Sequence, residues 1–298
     1  MTSRRLLLFV LLFLIQLPVV AATWTIYYPR PDDVEDKRTT YPLAVLRLAL
    51  KHTGVNYNLY PSQKVLSQGR SIKQLKANRE ISLVWSMTDK VREEELLPIR
   101  IPIYKGLIGW RLFLVKDENL DVFNSFKTIQ ELRQYTPVQG HDWPDTKILQ
   151  SNGFEVVTAT DYYEMFDVVR LEQAGFFPRS IVEIWAEMAD PQKSRNLIVE
   201  PHLALRYPTA TYFFFNKKNI VMKKLVETGL RRAIAAGEFD KLFFAEHKEY
   251  IEQANIQQRI VFELDNPVLP EQTPVNDPLY WYTVADAQGT PQQPPVEH

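Results

Sequence analysis

The sequence predicts a two-lobed α/β protein, each lobe a mostly parallel sheet flanked by helices, with two strands crossing between the lobes. Three observations predict it. Strand-like and helix-like segments alternate from Thr23 onward. A long β-rich run, LIGWRLFLVK from Leu107 to Lys116, then leads into a second set of such segments. A later apolar run, ATYFFFNK from Ala210, reads as the return crossing before two closing helices.

Taken in order, TWTIYY from Thr23 reads as a strand, and the polar, proline-bearing stretch from Pro29 to Thr40 as a loop. Pro42 opens LAVLRLALKHTG, where Leu43, Leu46 and Leu50 recur with Val45 and Ala49 at helical spacing until Gly54 stops the run. VNYNLYP alternates as a strand, SIKQLKAN follows as a helix, and ISLVWSM is short and apolar enough for a buried strand. The second lobe is expected to hold helices over Thr128–Arg133, Pro144–Ser151, Tyr162–Gln173 and near Ile181–Met188, with strands at PVQG, FEVVTAT and NLIVEP. Helices over Ile220–Ala236 and Phe239–Asn255 pack back on the first lobe. The expected boundaries are thus 23–109 and 209–270 for lobe 1 and 110–208 for lobe 2. Residues 271–298 are a proline-rich tail, disordered from about Ala285 because it is too polar to bury a core, although LYWYTV within it is aromatic enough to pack on the body.

The opening residues 1–22 combine Arg4 and Arg5, an apolar run from Leu6 to Leu14, and the small residues Ala21 and Ala22, the pattern of a cleavable secretory signal peptide. The run is short for the ~20 residues that span a bilayer. Its removal leaves 276 of the 298 residues and lowers Lys plus Arg from 35 to 33 against 36 Asp plus Glu, a net charge of −3. A near-neutral surface gives no basic footprint for nucleic acid. The absence of cysteine excludes disulfides, thiolate metal sites and a cysteine nucleophile. The five histidines have no HExxH-type spacing, and no GxSxG elbow, P-loop or dinucleotide glycine motif is present, so no metal, no cofactor and no enzymatic activity are expected. The best catalytic candidate is His141 beside Asp142, where a carboxylate could tune an imidazole, but a histidine there serves equally as a ligand contact.

The order of elements from Thr23 to Asn255, and the string Ser86-Met-Thr-Asp-Lys-Val-Arg92 followed by LLPIRIPIY, resemble the family 3 periplasmic solute-binding proteins, which have the type II periplasmic-binding fold and bind polar amino acids. The resemblance implies that Ser86, Thr88 and Arg92 hold a ligand carboxylate, a task that suits a guanidinium with two parallel donors. This sequence has one residue more than the family pattern between Thr88 and Arg92. If Thr88 caps the following helix, the extra residue turns Arg92 by about 100° around the axis. Arg92 is then either the clamp or a solvated helix charge among Glu93, Glu94 and Glu95. The same resemblance places Gly140, His141, Asp142 and Trp143 on the opposite wall of the cleft, where Asp142 serves as a ligand contact or as the cap of the helix that Pro144 opens. It places Arg179 and Ser180 where amino-acid binders carry an aspartate for the ligand's amino group. A cation there implies an acidic ligand if Arg179 faces the cleft. Tyr28 is expected to face the ligand and Tyr27 the core, with Trp85 stacking on a flat part of the ligand or filling core.

The expected function is periplasmic capture of a small polar, acidic or amino-acid-like solute by a monomer that closes on it and delivers it to an inner-membrane ABC transporter. A sensor or accessory protein signalling to a membrane receptor is the alternative, followed by a dehydratase-like enzyme on the same fold.

Overall fold

A computed structural model describes residues 23–32 and 36–282 of the chain. Residues 1–22, expected to form a signal peptide, and the tail beyond residue 282, including the expected disorder from Ala285, lie outside the described residues. The first lobe begins with β1 (Thr23–Arg30), α1 (Thr40–Lys51), β2 (Asn56–Val65), α2 (Gln68–Lys76), β3 (Leu83–Met87), α3 (Lys90–Glu95) and β4 (Leu97–Ile99). Helix α1 buries Tyr41, Pro42, Val45, Leu46, Ala49 and Leu50, the one-sided spacing that makes a helix worth packing. It ends before Gly54, whose φ of +72° is the left-handed turn that only glycine adopts freely. Strands β1 and β2 pair in parallel. Strand β3 lies beside them, tied to β1 by the Ser82 amide donating to the Tyr27 carbonyl at 2.8 Å.

The chain then crosses into β5 (Trp110–Lys116), α4 (Leu120–Ser125), α5 (Ile129–Leu132), β6 (Val138–Gly140), α6 (Pro144–Ser151), β7 (Val157–Ala159), α7 (Tyr162–Arg170), β8 (Phe177–Ser180), α8 (Ile184–Met188), α9 (Pro191–Ser194), β9 (Leu197–Val199) and β10 (Leu203–Arg206). Strand β5 is the spine of this lobe: it pairs antiparallel with β8, β9 and β10, while β6 and β7 form a parallel pair. The return leads to β11 (Thr211–Phe215), which is buried at every position and sits between β3 and β4, and then to α10 (Ile220–Ala235) and α11 (Glu238–Ala254). The two crossings touch at Gly109, whose carbonyl accepts from the Tyr207 amide at 3.2 Å, and a Cβ at Gly109 would collide with the Tyr207 carbonyl.

Two features differ from the sequence reading. Strand β12 (Ile260–Glu263) pairs in parallel with β10, so this stretch, expected in the first lobe, hydrogen-bonds into the sheet of the second. The chain then returns, with Trp281 and Tyr282 buried on the first lobe and the Tyr282 amide donating to the Lys105 carbonyl at 2.9 Å. Tyr27, expected in the core, is 43% exposed with its ring tilted against Tyr60 of β2, because this face of the β1–β2 pair is open to solvent while Ile26 on the other face is fully buried. Among the described residues no helix is long and apolar enough to cross a membrane.

Candidate functional site

The first-lobe wall is built by the ends of β1 and β3 and by the turn into α3. Tyr28 and Trp85 are half-buried neighbours with ring centroids 6.3 Å apart. Ser86 and Thr88 are buried. The cap of α3 is Asp89, not Thr88: its carboxylate accepts from the Arg92 amide at 2.8 Å, whereas the Thr88 hydroxyl donates to Glu93 at 2.7 Å. With the cap moved one residue along, the extra residue is absorbed before the helix begins, and Arg92 falls in its first turn pointing inward. Its side chain is only 8% exposed, which excludes the solvated-charge reading. Nη1 donates to the Ser86 hydroxyl and the Met87 carbonyl, both at 2.6 Å, and Nη2 donates to Gln68 at 3.0 Å and across to the Asp142 carbonyl at 2.9 Å. Burial lowers its pKa below the usual arginine value against the pull of Asp89, Asp142 and Asp145, yet a guanidinium stays charged.

On the second lobe, Gly140 ends β6 and Trp143 packs over it so closely that a Cβ there would lie 2.6 Å from the indole. Trp143 holds the N-cap position of α6 without a side-chain cap, so Asp142 does not cap that helix; its carboxylate instead accepts from the Gly69 amide of α2 at 2.7 Å. His141 is exposed. Arg179 is 1% exposed and donates to Glu187 through three hydrogen bonds of 2.6 to 3.0 Å, with Glu183 3.2 Å away. Burial opposes its charge, but Glu183 and Glu187 outweigh this and raise its pKa well above the usual value. Glu187 is correspondingly held low by Arg179 against the effect of burial. In this arrangement the charge of Arg179 is met by Glu183 and Glu187 within the chain. Ser180 is fully buried and donates to the Leu107 carbonyl at 3.2 Å, a bond to the crossing segment.

Several residues at this interface were not singled out from sequence. Arg111 of β5, 3% exposed, pairs with Asp145 of α6 at 2.7 Å, and the Tyr207 hydroxyl donates to the same carboxylate. Arg38, held by Asp32 and Asp36, reaches over from the first lobe and stacks 3.7 Å from the Tyr162 ring centroid, while the Tyr162 hydroxyl donates to Glu187 at 2.6 Å. Neither these long-range pairs nor the Arg179–Glu187 pair had a sequence signal, since Arg179 lies on strand β8 and a spacing of four marks a shared face only within a helix. The ensemble is a layer of arginines and carboxylates between two lobes, able to bind polar groups and to hold the lobes together. Among the described residues no group of three or more His, Asp or Glu is placed to hold a metal ion.

No protein-family model and no curated protein match the sequence. Solved structures do match the coordinates. A Salmonella typhimurium periplasmic binding protein with high arginine specificity aligns with a TM-score of 0.58 at 12% identity, over 75% of this chain and 99% of that one. The fold is that of a periplasmic binding protein. The substrate-binding protein of an amino acid ABC transporter aligns with a TM-score of 0.55 at 11% identity, over 76% of this chain and 100% of that one. A histidine kinase sensor domain with similarity to periplasmic binding proteins gives 0.55 at 10%, over 75% and 95%. These neighbours carry the periplasmic-binding fold into different roles.

Proposed function

We propose that this chain is a periplasmic solute-binding protein whose lobes close over a small, amino-acid-like solute, for delivery to an inner-membrane ABC transporter. The observation that carries the reading is Arg92, a buried guanidinium anchored to Ser86 on one lobe and directed at the other. A carboxylate entering between the lobes would take the place of Gln68 and the Asp142 carbonyl on Nη2, while Ser86 and Met87 keep Nη1 in position. The half-buried Tyr28 and Trp85 offer an apolar face beside it. Because Glu187 neutralises Arg179, a single carboxylate fits the charge of the site better than a di- or tricarboxylate. The names of the arginine-specific and amino acid transporter neighbours support the same solute class. A thermal-shift screen with amino acids, di- and tricarboxylates, polyamines, sugars and short peptides tests it. A solute at about 100 times its Kd adds about 2.7 kcal/mol to the folded state. Arg92→Ala should then weaken the hit at least tenfold, about 1.4 kcal/mol, and unchanged affinity removes Arg92 from the site.

A sensing role is the second reading, favoured by the kinase sensor domain that shares the fold. Cellular uptake of the identified solute separates the two: deleting the gene abolishes uptake under transport and leaves it intact under sensing.

A further inference from the structure

Asp142 belongs to the second lobe, yet its carboxylate and its carbonyl are both bound by the first. Its carboxylate accepts from the Gly69 amide at 2.7 Å, and its carbonyl accepts from Arg92 Nη2 at 2.9 Å. The contact is made wholly of the chain's own groups and needs no solute. Gly69 fits it as a socket. A Cβ built there collides with the Asp142 carboxylate oxygen and lies 3.2 Å from its Cγ, and the three nearest atoms all belong to Asp142. Gly69 does not have a positive φ, so the backbone there does not call for glycine. A helical glycine is less favourable than alanine, so the missing side chain is explained by the approach of Asp142.

We propose that Asp142 and Gly69 form a latch that holds the two lobes together without solute. An aspartate carboxylate at the first turn of α2 satisfies an amide that the helix itself leaves open and sits at its favourable end. The latch goes beyond the binding reading, and its test uses no ligand, so the two fail separately.

The test is solution scattering of the purified full chain with no solute added. Asp142→Ala and Gly69→Ala should each enlarge the radius of gyration, and the double variant should be no larger than either single one, since each removes the same contact. The Gly69 amide should exchange its hydrogen at least tenfold faster in Asp142→Ala. The chain has no cysteine, so a Gly69→Cys/Asp142→Cys pair provides an unambiguous staple. The Cβ positions are 3.5 Å apart, at the short end of the roughly 3.5–4.5 Å range of disulfides. Oxidised, the pair should keep the wild-type radius; reduced, it should take the radius of the single variants. Wild type and reduced pair of equal size, or a pair that does not oxidise, overturns the latch. So does a variant that loses its near-ultraviolet circular dichroism, because releasing a latch leaves each lobe's core intact.

Discussion

His247 on α11 is 3% exposed, with the rings of Tyr41, Tyr104 and Phe243 at 4.3 to 5.6 Å, and neither of its nitrogens has a hydrogen-bond partner among the described residues. Burial pulls its pKa from 6.5 to about 4. As the pH falls, the unfolded chain therefore takes up the proton first. Stability is complete above pH 6.5 and declines as the pH drops from there toward 4, by roughly 3 kcal/mol in all at 1.36 kcal/mol per unit. His247→Phe keeps an aromatic ring in the box and removes the proton site. Urea unfolding at pH 7 and pH 5 should show a loss between the two that is roughly 2 kcal/mol smaller in the variant, and equal losses would mean that His247 titrates normally in the folded protein. Sequence named this histidine only as one of five, because its burial depends on residues up to two hundred positions away. The same limit separates Arg92 from Arg179. Arg92 sits in a local string whose partner Ser86 is six residues back, so its inward role could be weighed from sequence. Sequence leaves Arg179 either facing the cleft or facing out, since nothing in PRSIVEIWAEM says that Glu187 folds back over it. A buried ion pair of this kind is poor evidence of stability gain, but removing one partner leaves the other charge stranded, which fixes the geometry of the wall.

Helix α10 meets α1 through Gly229, where a Cβ would collide with the Ala49 carbonyl and lie 2.8 Å from Thr53 Cγ2. Two opposing effects act on Gly229→Ala. Alanine is about 1 kcal/mol better than glycine inside a helix, but overpacking against backbone costs typically 1–3 kcal/mol. Backbone cannot swing aside as a flexible side chain does, so the second effect prevails and calorimetry should record a melting temperature lower by several degrees. An unchanged or raised value would mean that the helices slide apart freely. The long helices were legible because their apolar residues repeat over three or more turns, as in α1 and α10. The strands β8, β10 and β12 have only four residues each, too few to establish a period of two, and β8 carries Pro178 in its middle. The crossing was legible as a β-rich run, but the regular strand begins only at Trp110, after a left-handed Gly106 and a tight turn that the composition of LIGW does not announce.

At the scale of the whole molecule, the lobes are joined by more than the two crossings the sequence suggests. After α11 the chain enters the second lobe as β12, where Asp265 exchanges two hydrogen bonds with Asn152, the amide donating at 3.1 Å and the carbonyl accepting at 2.7 Å. Asn266 then donates to the Pro208 carbonyl at the return crossing at 2.9 Å, and Lys90 of the first lobe donates to Pro267 and Val268 at 2.9 and 3.1 Å. Trp281 closes over Gly106, and Tyr282 lies against Phe243 and Phe244. A β-strand's partner in a sheet is chosen by long-range register, which no local pattern encodes, so this strap could not be read from the sequence; the aromatic character of LYWYTV announced only its end. The arginine-specific neighbour is matched over 99% of its own length by 75% of this chain, so a quarter of the chain lies outside the shared architecture. Ending the chain after Asn266 removes the contacts to Lys90 and both docked aromatics while leaving β12 in place. Each buried aromatic contributes roughly 1.5–3 kcal/mol, so urea unfolding should report a loss of about 3–6 kcal/mol relative to the full chain. Scattering should show a larger molecule as well, because one tie across the hinge is gone and the Asp142 contact and Arg38 over Tyr162 are left to hold the lobes. A truncated chain with the full chain's unfolding midpoint and radius would mean that the strap rests on the surface without bearing on either lobe.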